Sequence, residues 1–362
     1  MCLNLERYIA MKKGVMKKSA FGCLLMLCLL SNVAFSSVAD KGHSPQNVKP
    51  VLKKKPSQYF GVTFENDAFL RDDALYTSGL FVYWGYHNLD RLDKTTLPAW
   101  ISFLTQYTYL ANGPNKSHDI SYSVGQILQT PDNLDSTKII EDDVPYAGLL
   151  GWNVRLQSFD SVIDDQIGLT LGAVGPIAEG EVLQKAWHDV IGSPDPNGWD
   201  NQLGAEVVVR LDTLRKWRVY HKSFNFTQID FITGGGAGVG NLKSDLDVGL
   251  TARWGTSLQK SYAAAALFTT QQFNGLKPIP FGWYIFTNIT GSYVFNDIFI
   301  DGNTFKDSHS VALTHEQLAL SGGIMMNLGH FNVIYSEVLL SGQYKTQVEQ
   351  SRFGALSITY KF

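Results

Sequence analysis

Strict alternation of apolar and polar residues, repeated along most of the chain, is the feature that most constrains the fold. In the final segment, Leu356–Phe362, every second residue is apolar and the residues between them are polar. A longer example, Trp283–Phe295, has one apolar and aromatic face and an opposite face that carries Asn288, Thr290 and Ser292. A period of two is typical of a β-strand whose faces meet different environments.

About twelve such stretches follow one another, separated by clusters of Gly, Asn, Asp and Pro, which are the usual turn residues. The predicted strands are 59–66, 77–86, 120–128, 147–159, 167–174, 203–211, 224–233, 248–255, 282–295, 318–328, 331–341 and 352–362. Beyond the N-terminal segment, no apolar run approaches the roughly 20 residues that a membrane helix needs.

The N-terminal segment has the pattern of a secretory signal peptide. Lys17 and Lys18 precede a short apolar run, and small residues follow up to Ser36 and Ala39. We therefore predict a signal peptide over 1–36, cleaved after Ser36 or Ala39, and a flexible polar leader over 37–57. The three cysteines, Cys2, Cys23 and Cys28, all lie in or before this apolar run, so the mature chain is expected to contain none.

Composition and charge narrow the class further. The formal net charge of −3, without a basic stripe, gives no sign of nucleic-acid binding. An exported chain without mature cysteines, rich in aromatic residues and built from two-faced strands, favours a closed barrel, because closure satisfies every backbone group within lipid. The predicted fold is all-β: a transmembrane antiparallel β-barrel of about 12 strands over 58–362. A soluble β-sandwich is the alternative, since it shows the same alternation.

One segment departs from the period of two and has helical periodicity instead. Over 177–191 the apolar residues recur at helical spacing and share one broad face. His188 lies on the opposite face, beside Gln184 and Lys185, and Gly192 supplies a stop signal. We predict a short helix in an extracellular loop, with its apolar face on the barrel rim or turned toward lipid. Taken alone, His188 would be an ordinary solvated histidine.

Several short motifs, taken together and in this order, are more specific than any of them alone. They are Phe64-Glu65-Asn66-Asp67, Asp73-Ala74-Leu75-Tyr76-Thr77-Ser78-Gly79, Asp142-Asp143-Val144-Pro145-Tyr146-Ala147-Gly148, Trp187-His188-Asp189-Val190-Ile191-Gly192 and Gly198-Trp199-Asp200-Asn201-Gln202-Leu203. On these motifs the chain resembles the outer-membrane lipid A 3′-O-deacylase family, over roughly residues 58–362.

The resemblance implies a calcium-dependent esterase of the Gram-negative outer membrane that removes the 3′-linked acyloxyacyl chain from lipid A. Its active site is expected at the outer rim, between barrel wall and loop helix. The implied partners are lipopolysaccharide, outer-membrane lipid and the barrel-assembly machinery, with the protein acting as a monomer. By the same resemblance His188 is the catalytic histidine, and Asn66, Asp67 and Thr77 are further catalytic residues.

The chemistry suits these residue types. A neutral imidazole can act as the base that activates water, and Ca²⁺ prefers oxygen ligands such as those of Asn66 and Asp67.

Two positions depart from the family pattern. Where a relative has a metal-binding acid six residues after the histidine, this chain has Pro194, so Asp195 or Glu181 is the substitute ligand. The loop before the fourth strand has Lys138 as its one basic residue in the stretch 130–138, and we predict that Lys138 and Ser78 contact substrate.

Two other functions are consistent with a barrel. An outer-membrane phospholipase would need a Ser nucleophile beside a strand His in an Asn-His-x-Ser-Asn-Gly-like stretch, which the sequence lacks. A passive, porin-like barrel would have no reason to carry a histidine on an amphipathic loop helix. A serine-directed inhibitor and a conductance measurement separate these alternatives from a histidine-based lipid A deacylase.

Overall fold

A computed structural model describes residues 56–67, 76–92, 97–106, 108, 110, 116–193, 195–259, 261–262, 279–348 and 350–362. The predicted signal peptide and most of the predicted leader lie outside these residues. One compact unit, Lys53–Leu97 with Ile101–Phe362, contains the whole β-sheet.

The sheet is a closed antiparallel barrel in which each strand pairs with its neighbours in sequence and β1 pairs with β12. The twelve strands are β1 Ser57–Asn66, β2 Tyr76–Leu89, β3 Ser117–Gln129, β4 Ala147–Phe159, β5 Ile163–Val174, β6 Glu206–Ser223, β7 Gln228–Gly240, β8 Lys243–Gly255, β9 Ile279–Asp297, β10 Glu316–Gly329, β11 Phe331–Leu340 and β12 Ser351–Lys361. The prediction of a twelve-stranded barrel is confirmed.

Each predicted strand overlaps one observed strand, and the largest difference in bounds is at β6. This strand begins three residues later than predicted and continues to Ser223. Phe224, predicted to begin the next strand, lies instead in the turn before β7, which starts at Gln228. The second half of β6 carries several charged residues, so its alternation is weak and the pattern did not reveal the length of the strand.

The seam between β1 and β12 shows the two different faces of the barrel wall. Facing outward, Ile358 is 45% exposed. On the other face, the hydroxyl of Ser357 lies 2.7 Å from the hydroxyl of Thr63 on β1, and that of Thr359 lies 2.7 Å from the hydroxyl of Tyr83. Apolar side chains therefore face out and hydrogen-bonded polar side chains face in, as a membrane barrel requires.

In the described part of the chain, three α-helices lie between the strands: α1 Ala99–Gln106, α2 Gly180–Ile191 and α3 Ile298–Asp301. The predicted loop helix is confirmed as α2 together with the 3₁₀ turn Pro176–Ala178, whereas the sequence pattern did not reveal α1 and α3. In the connection between β2 and β3, Ile101 packs with Val154 and Leu156 of β4. Among the described residues, no helix has the length and apolar composition needed to cross a membrane.

The barrel has a lower end, where β1 begins and β12 finishes, and an upper end, where β1 finishes and α2 lies. Asp143 ties the upper connections together. Its carboxylate accepts hydrogen bonds from the Tyr344 hydroxyl (2.7 Å) and the Asp132 backbone N–H (2.8 Å), and its carbonyl lies 2.7 Å from Nε2 of His309. Burial and the bond to Asp143 raise the pKa of Tyr344, so the phenol remains a donor.

The outward direction of Ile358 can be tested by folding the protein into lipid vesicles and measuring its free energy of unfolding. Ile358→Arg should destabilise the barrel by about 2–4 kcal/mol, because a charge then faces hydrocarbon. Ser357→Ala, on the inward face of the same strand, should cost about 1 kcal/mol for one lost hydrogen bond. Equal effects of the two substitutions would mean that Ile358 does not face lipid.

Candidate active site

The loop helix α2 lies on the barrel with its polar stripe inward and its apolar residues outward. Gly180, Gln184 and His188 follow one another at four-residue spacing and are all buried, with exposed fractions of 2% for Gln184 and 7% for His188. Val182, by contrast, is 55% exposed, and Leu183 and Trp187 are exposed as well. The prediction that the apolar face turns toward lipid is consistent with this arrangement, whereas a solvated His188 is ruled out.

A hydrogen bond within the protein anchors the buried stripe. The indole N–H of Trp199 donates to Oε1 of Gln184 at 2.7 Å, and both side chains are buried. Trp199 in turn packs against Tyr146, with ring centroids 5.1 Å apart, and the backbone N–H of Leu203 donates to the Tyr146 carbonyl. Two motifs that are distant in sequence, around Tyr146 and Trp199, therefore form one support beneath α2.

Two glycines allow the helix to approach the wall closely. A Cβ at Gly180 would overlap the ring of Trp199 and lie 3.0 Å from a methyl carbon of Leu128. A Cβ at Gly148 on β4 would lie 3.0 Å from the Cβ of Ala178, just before the helix. The Gln126 side chain on β3 also donates to the Ala178 carbonyl. The start of α2 thus rests on β3 and β4.

The other end of α2 reaches β1. Trp187 meets Phe64 edge-to-face, with ring centroids 5.4 Å apart. Phe64 is one outward position below Asn66, whose direct partner on β2 is Ser78. Cross-strand pairing continues from Ser78 to Leu128 on β3, and from there to Gly148 on β4. The helix therefore runs along a row of paired residues across four strands, and His188 lies at the Asn66 end of that row.

The burial of Asn66 agrees with this placement. Along β1, Phe60 and Val62 are outward-facing and exposed, and Asn66 continues the same face, yet it is only 3% exposed. Asp67, directly after the strand, is buried as well. Since Trp187 covers Phe64 just below, the upper end of β1 is covered on its outer side. The structure brings together the helix segment that carries His188 and two strand ends: that of β1, with Asn66 and the following Asp67, and that of β2, with Ser78.

The remaining predicted site residues lie elsewhere or beyond the described part. Lys138 is exposed in the connection between β3 and β4, where the neighbouring Thr137 carbonyl accepts a hydrogen bond from Asn201, two residues after Trp199. Asp195 is exposed after the end of α2. Thr77 lies in β2 next to Ser78, but its side chain is outside the described residues, as is Pro194.

Near His188, Asn66 and Asp67 offer buried amide and carboxylate oxygens, which are the type of ligand that a calcium ion prefers. Within the described ranges, no group of three or more His, Cys, Asp and Glu side chains could hold a metal. Backbone carbonyls or water would have to complete the coordination. On the edge of α2, a hydrogen bond to Glu181 (2.6 Å) raises the pKa of Lys185, so Glu181 is already engaged.

The barrel interior is a separate space. A cavity of about 390 Å³ lies within it, and its lining includes the ion pairs Arg155–Asp212 (3.0 Å) and Arg210–Asp245 (2.7 Å). None of the described predicted site residues lines this cavity. Each cation of this lining, including Lys243 with Asp297 (3.3 Å), is paired with a carboxylate of the wall, so the outer surface beneath α2 is the better candidate for chemistry.

Sequence reasoning missed the residues that hold α2 in place. The sequence pattern places Gln184 beside His188 on one helix face, but it indicates no role for Gln184, Trp199 or Tyr146. Their partnership joins segments far apart in sequence, so no local periodicity could reveal it. The one available signal was the occurrence of Gly180, Gln184 and His188 at helical spacing on a single face.

Comparisons with known proteins found one family model and several solved barrel structures that are similar to this chain. The family model described as Outer membrane protein LpxR matches residues 23–362. The solved structure of LpxR from Salmonella typhimurium aligns with a TM-score of 0.70 and 14% identity, covering 83% of this chain and 99% of that one. The β domain of the Bordetella autotransporter BrkA aligns with a TM-score of 0.38 and 8% identity, covering 84% of this chain and 98% of that one. No curated protein sequence matches the chain.

Substituting Gly180 tests whether α2 is held against the wall. Helix propensity alone favours Ala over Gly by about 0.5–1 kcal/mol. Because a Cβ would overlap Trp199, we expect Gly180→Ala to loosen the helix and to speed tryptic cleavage after Lys185 about tenfold, equivalent to about 1.4 kcal/mol. Gly151→Ala is the control, since its Cβ would have 4.0 Å of space. Unchanged or slower cleavage in Gly180→Ala would contradict the packing.

Proposed function

Because the chain belongs to the family of the outer membrane protein LpxR and is a twelve-stranded barrel of the Gram-negative outer membrane, we propose that it is a lipid A deacylase. The reaction is hydrolysis of the ester that joins the acyloxyacyl chain to the 3′ oxygen of lipid A. The upper end of the barrel faces the cell exterior, so the site meets the outer leaflet, where lipopolysaccharide resides.

The observation that carries this proposal is the buried polar stripe of α2 against the outer wall. A histidine is held there, beside a strand end with an amide and a carboxylate, on the lipid-facing side of the barrel. A substrate with several acyl chains can reach such a site without leaving the bilayer. The exposed apolar side chains of α2, including Val182 and Leu183, face the same lipid layer.

In the proposed mechanism His188 acts as general base. Its imidazole accepts a proton from water as the water oxygen attacks the ester carbonyl carbon. The resulting oxyanion collapses, the bond between the carbonyl carbon and the 3′ oxygen breaks, and the imidazolium returns its proton to that oxygen. The products are a free acyloxyacyl acid and a sugar with a 3′-hydroxyl. No acyl-enzyme forms, so no serine nucleophile is needed.

The residues at the end of β1 orient the reacting groups. Asn66 and Thr77 provide hydrogen bonds near the ester, and Ser78, the cross-strand partner of Asn66, borders the same surface. Asp67 and Asn66 would hold calcium, with Asp195 as a third ligand. When bound, the ion supplies positive charge beside the developing oxyanion. Lys138 is the proposed contact for an anionic head group.

Replacing His188 tests the mechanism directly. His188→Ala should lower the rate of acyl release from purified lipid A by about 10²–10⁴-fold, the usual contribution of a positioned base. Mass spectrometry of the lipid measures the release, and the mobility difference between unboiled and boiled samples reports barrel folding. His221→Ala, at the lower end on β6, is the matched control and should retain activity. A fully active His188→Ala variant would refute the mechanism.

The calcium requirement has its own test. Chelation should stop acyl release and added Ca²⁺ should restore it, because a bound dication offsets the oxyanion charge. Asp67→Asn removes one negative ligand and should shift the half-maximal Ca²⁺ concentration upward by roughly tenfold or more. Asp200→Asn, an exposed acid after α2, is the control. Full activity in chelator, or the same Ca²⁺ dependence in Asp67→Asn, would rule out this metal site.

A further inference from the structure

The buried stripe of α2 contains a hydrogen-bond donor that finds no partner in the described part of the chain. Nε2 of Gln184 has no hydrogen-bond partner among the described residues, although the side chain is almost completely buried. The other polar atom of the same carboxamide, Oε1, accepts from Trp199 at 2.7 Å. An indole N–H can only donate a hydrogen bond, so the carboxamide atom that faces Trp199 must be the oxygen. The nitrogen is therefore the atom on the opposite side of the carboxamide.

Such a donor calls for an explanation, because buried polar groups in proteins are nearly always paired. The bond from Trp199 fixes the rotation of the carboxamide, so the free N–H groups are held in one direction before any ligand arrives. A rigid donor in a covered site is the kind of group that stabilises a developing negative charge. An acceptor oxygen supplied by the substrate would satisfy it.

The position of Gln184 relative to His188 suits this role. The two residues are four apart on one helix face, so their Cβ atoms are about 5–6 Å apart. Both side chains point to the same covered surface between α2 and the wall. An ester carbonyl lying under the helix can therefore present its carbon toward a water held by His188 and its oxygen toward the Gln184 amide.

We propose that the side-chain amide of Gln184 donates a hydrogen bond to the carbonyl oxygen of the scissile ester. This inference rests on the proposed function. It adds a second group that stabilises the oxyanion beside the proposed calcium ion, and this group is a side chain of the protein. The bond strengthens as the carbonyl oxygen becomes charged, so its contribution appears mainly in kcat. Trp199 acts as the positioning residue that sets the orientation of the amide.

Three variants separate a substrate contact from a structural role. Gln184→Met removes both polar atoms at similar volume and should lower kcat about 10²–10³-fold with little change in KM. Gln184→Glu keeps an acceptor for Trp199 but has no N–H, and its kcat should fall at least as far. Trp199→Phe removes the indole N–H but leaves the amide, and its kcat should remain within about tenfold of wild type.

Kinetics on purified lipid A in detergent micelles, together with tryptic cleavage after Lys185, decide among the outcomes. Low kcat in Gln184→Glu with wild-type cleavage, and a mild effect of Trp199→Phe, are the expected results. Wild-type kcat in Gln184→Glu would overturn the inference, as would an equal loss in Trp199→Phe and Gln184→Met or faster cleavage in both Gln184 variants. An inactive wild-type protein would overturn the proposed function itself, and this inference with it.

Discussion

Closure of the sheet between β1 and β12 is the constraint on which the rest of the structure depends. In lipid no water is present to satisfy a free strand edge, so the last strand must pair with the first. That pairing fixes the register of β1 and places Asn66 opposite Gly354 on one side and Ser78 on the other. The position of the candidate site follows from the same register, because the site begins where β1 ends.

The orientation of α2 is explained by the solvent on each side of it. On a water-soluble protein an amphipathic helix buries its apolar face, but at the rim of a membrane barrel lipid lies outside. The apolar residues of α2 are therefore stable when exposed, and the polar stripe with Gln184 and His188 turns toward the wall. A covered polar space is created on the outside of the barrel, next to the bilayer that holds the substrate.

Much of the fold could be predicted from the sequence, because the alternation of apolar and polar residues along a barrel strand reflects lipid on one side and the lumen on the other. The end strand Leu356–Phe362 and the long strand around Trp283 were evident for that reason. The helix α1 was missed because Ala99–Gln106 is short and has no acidic residue in its first turn. The sequence also does not predict that Ile101 covers Val154 and Leu156 on the outer wall, because these two residues have the same alternation as lipid-facing residues.

For the site, residue types and family motifs indicated His188, Asn66 and Asp67, whereas the contacts that support them could not be predicted. The Trp187–Phe64 and Gln184–Trp199 contacts join residues distant in sequence, and only the folded register brings them together. The stripe Gly180, Gln184 and His188 was visible as a pattern, but its burial depends on what surrounds the barrel. Local sequence carries no such information.

The most direct test of the account is an experimental structure of the barrel with a lipid A analogue whose 3′ ester is replaced by an amide that resists hydrolysis. The account predicts that the amide carbonyl lies outside the barrel, between α2 and the upper end of β1, within hydrogen-bond reach of Gln184 and one water away from His188. An analogue bound in the lumen, or on a wall surface remote from α2, would contradict it.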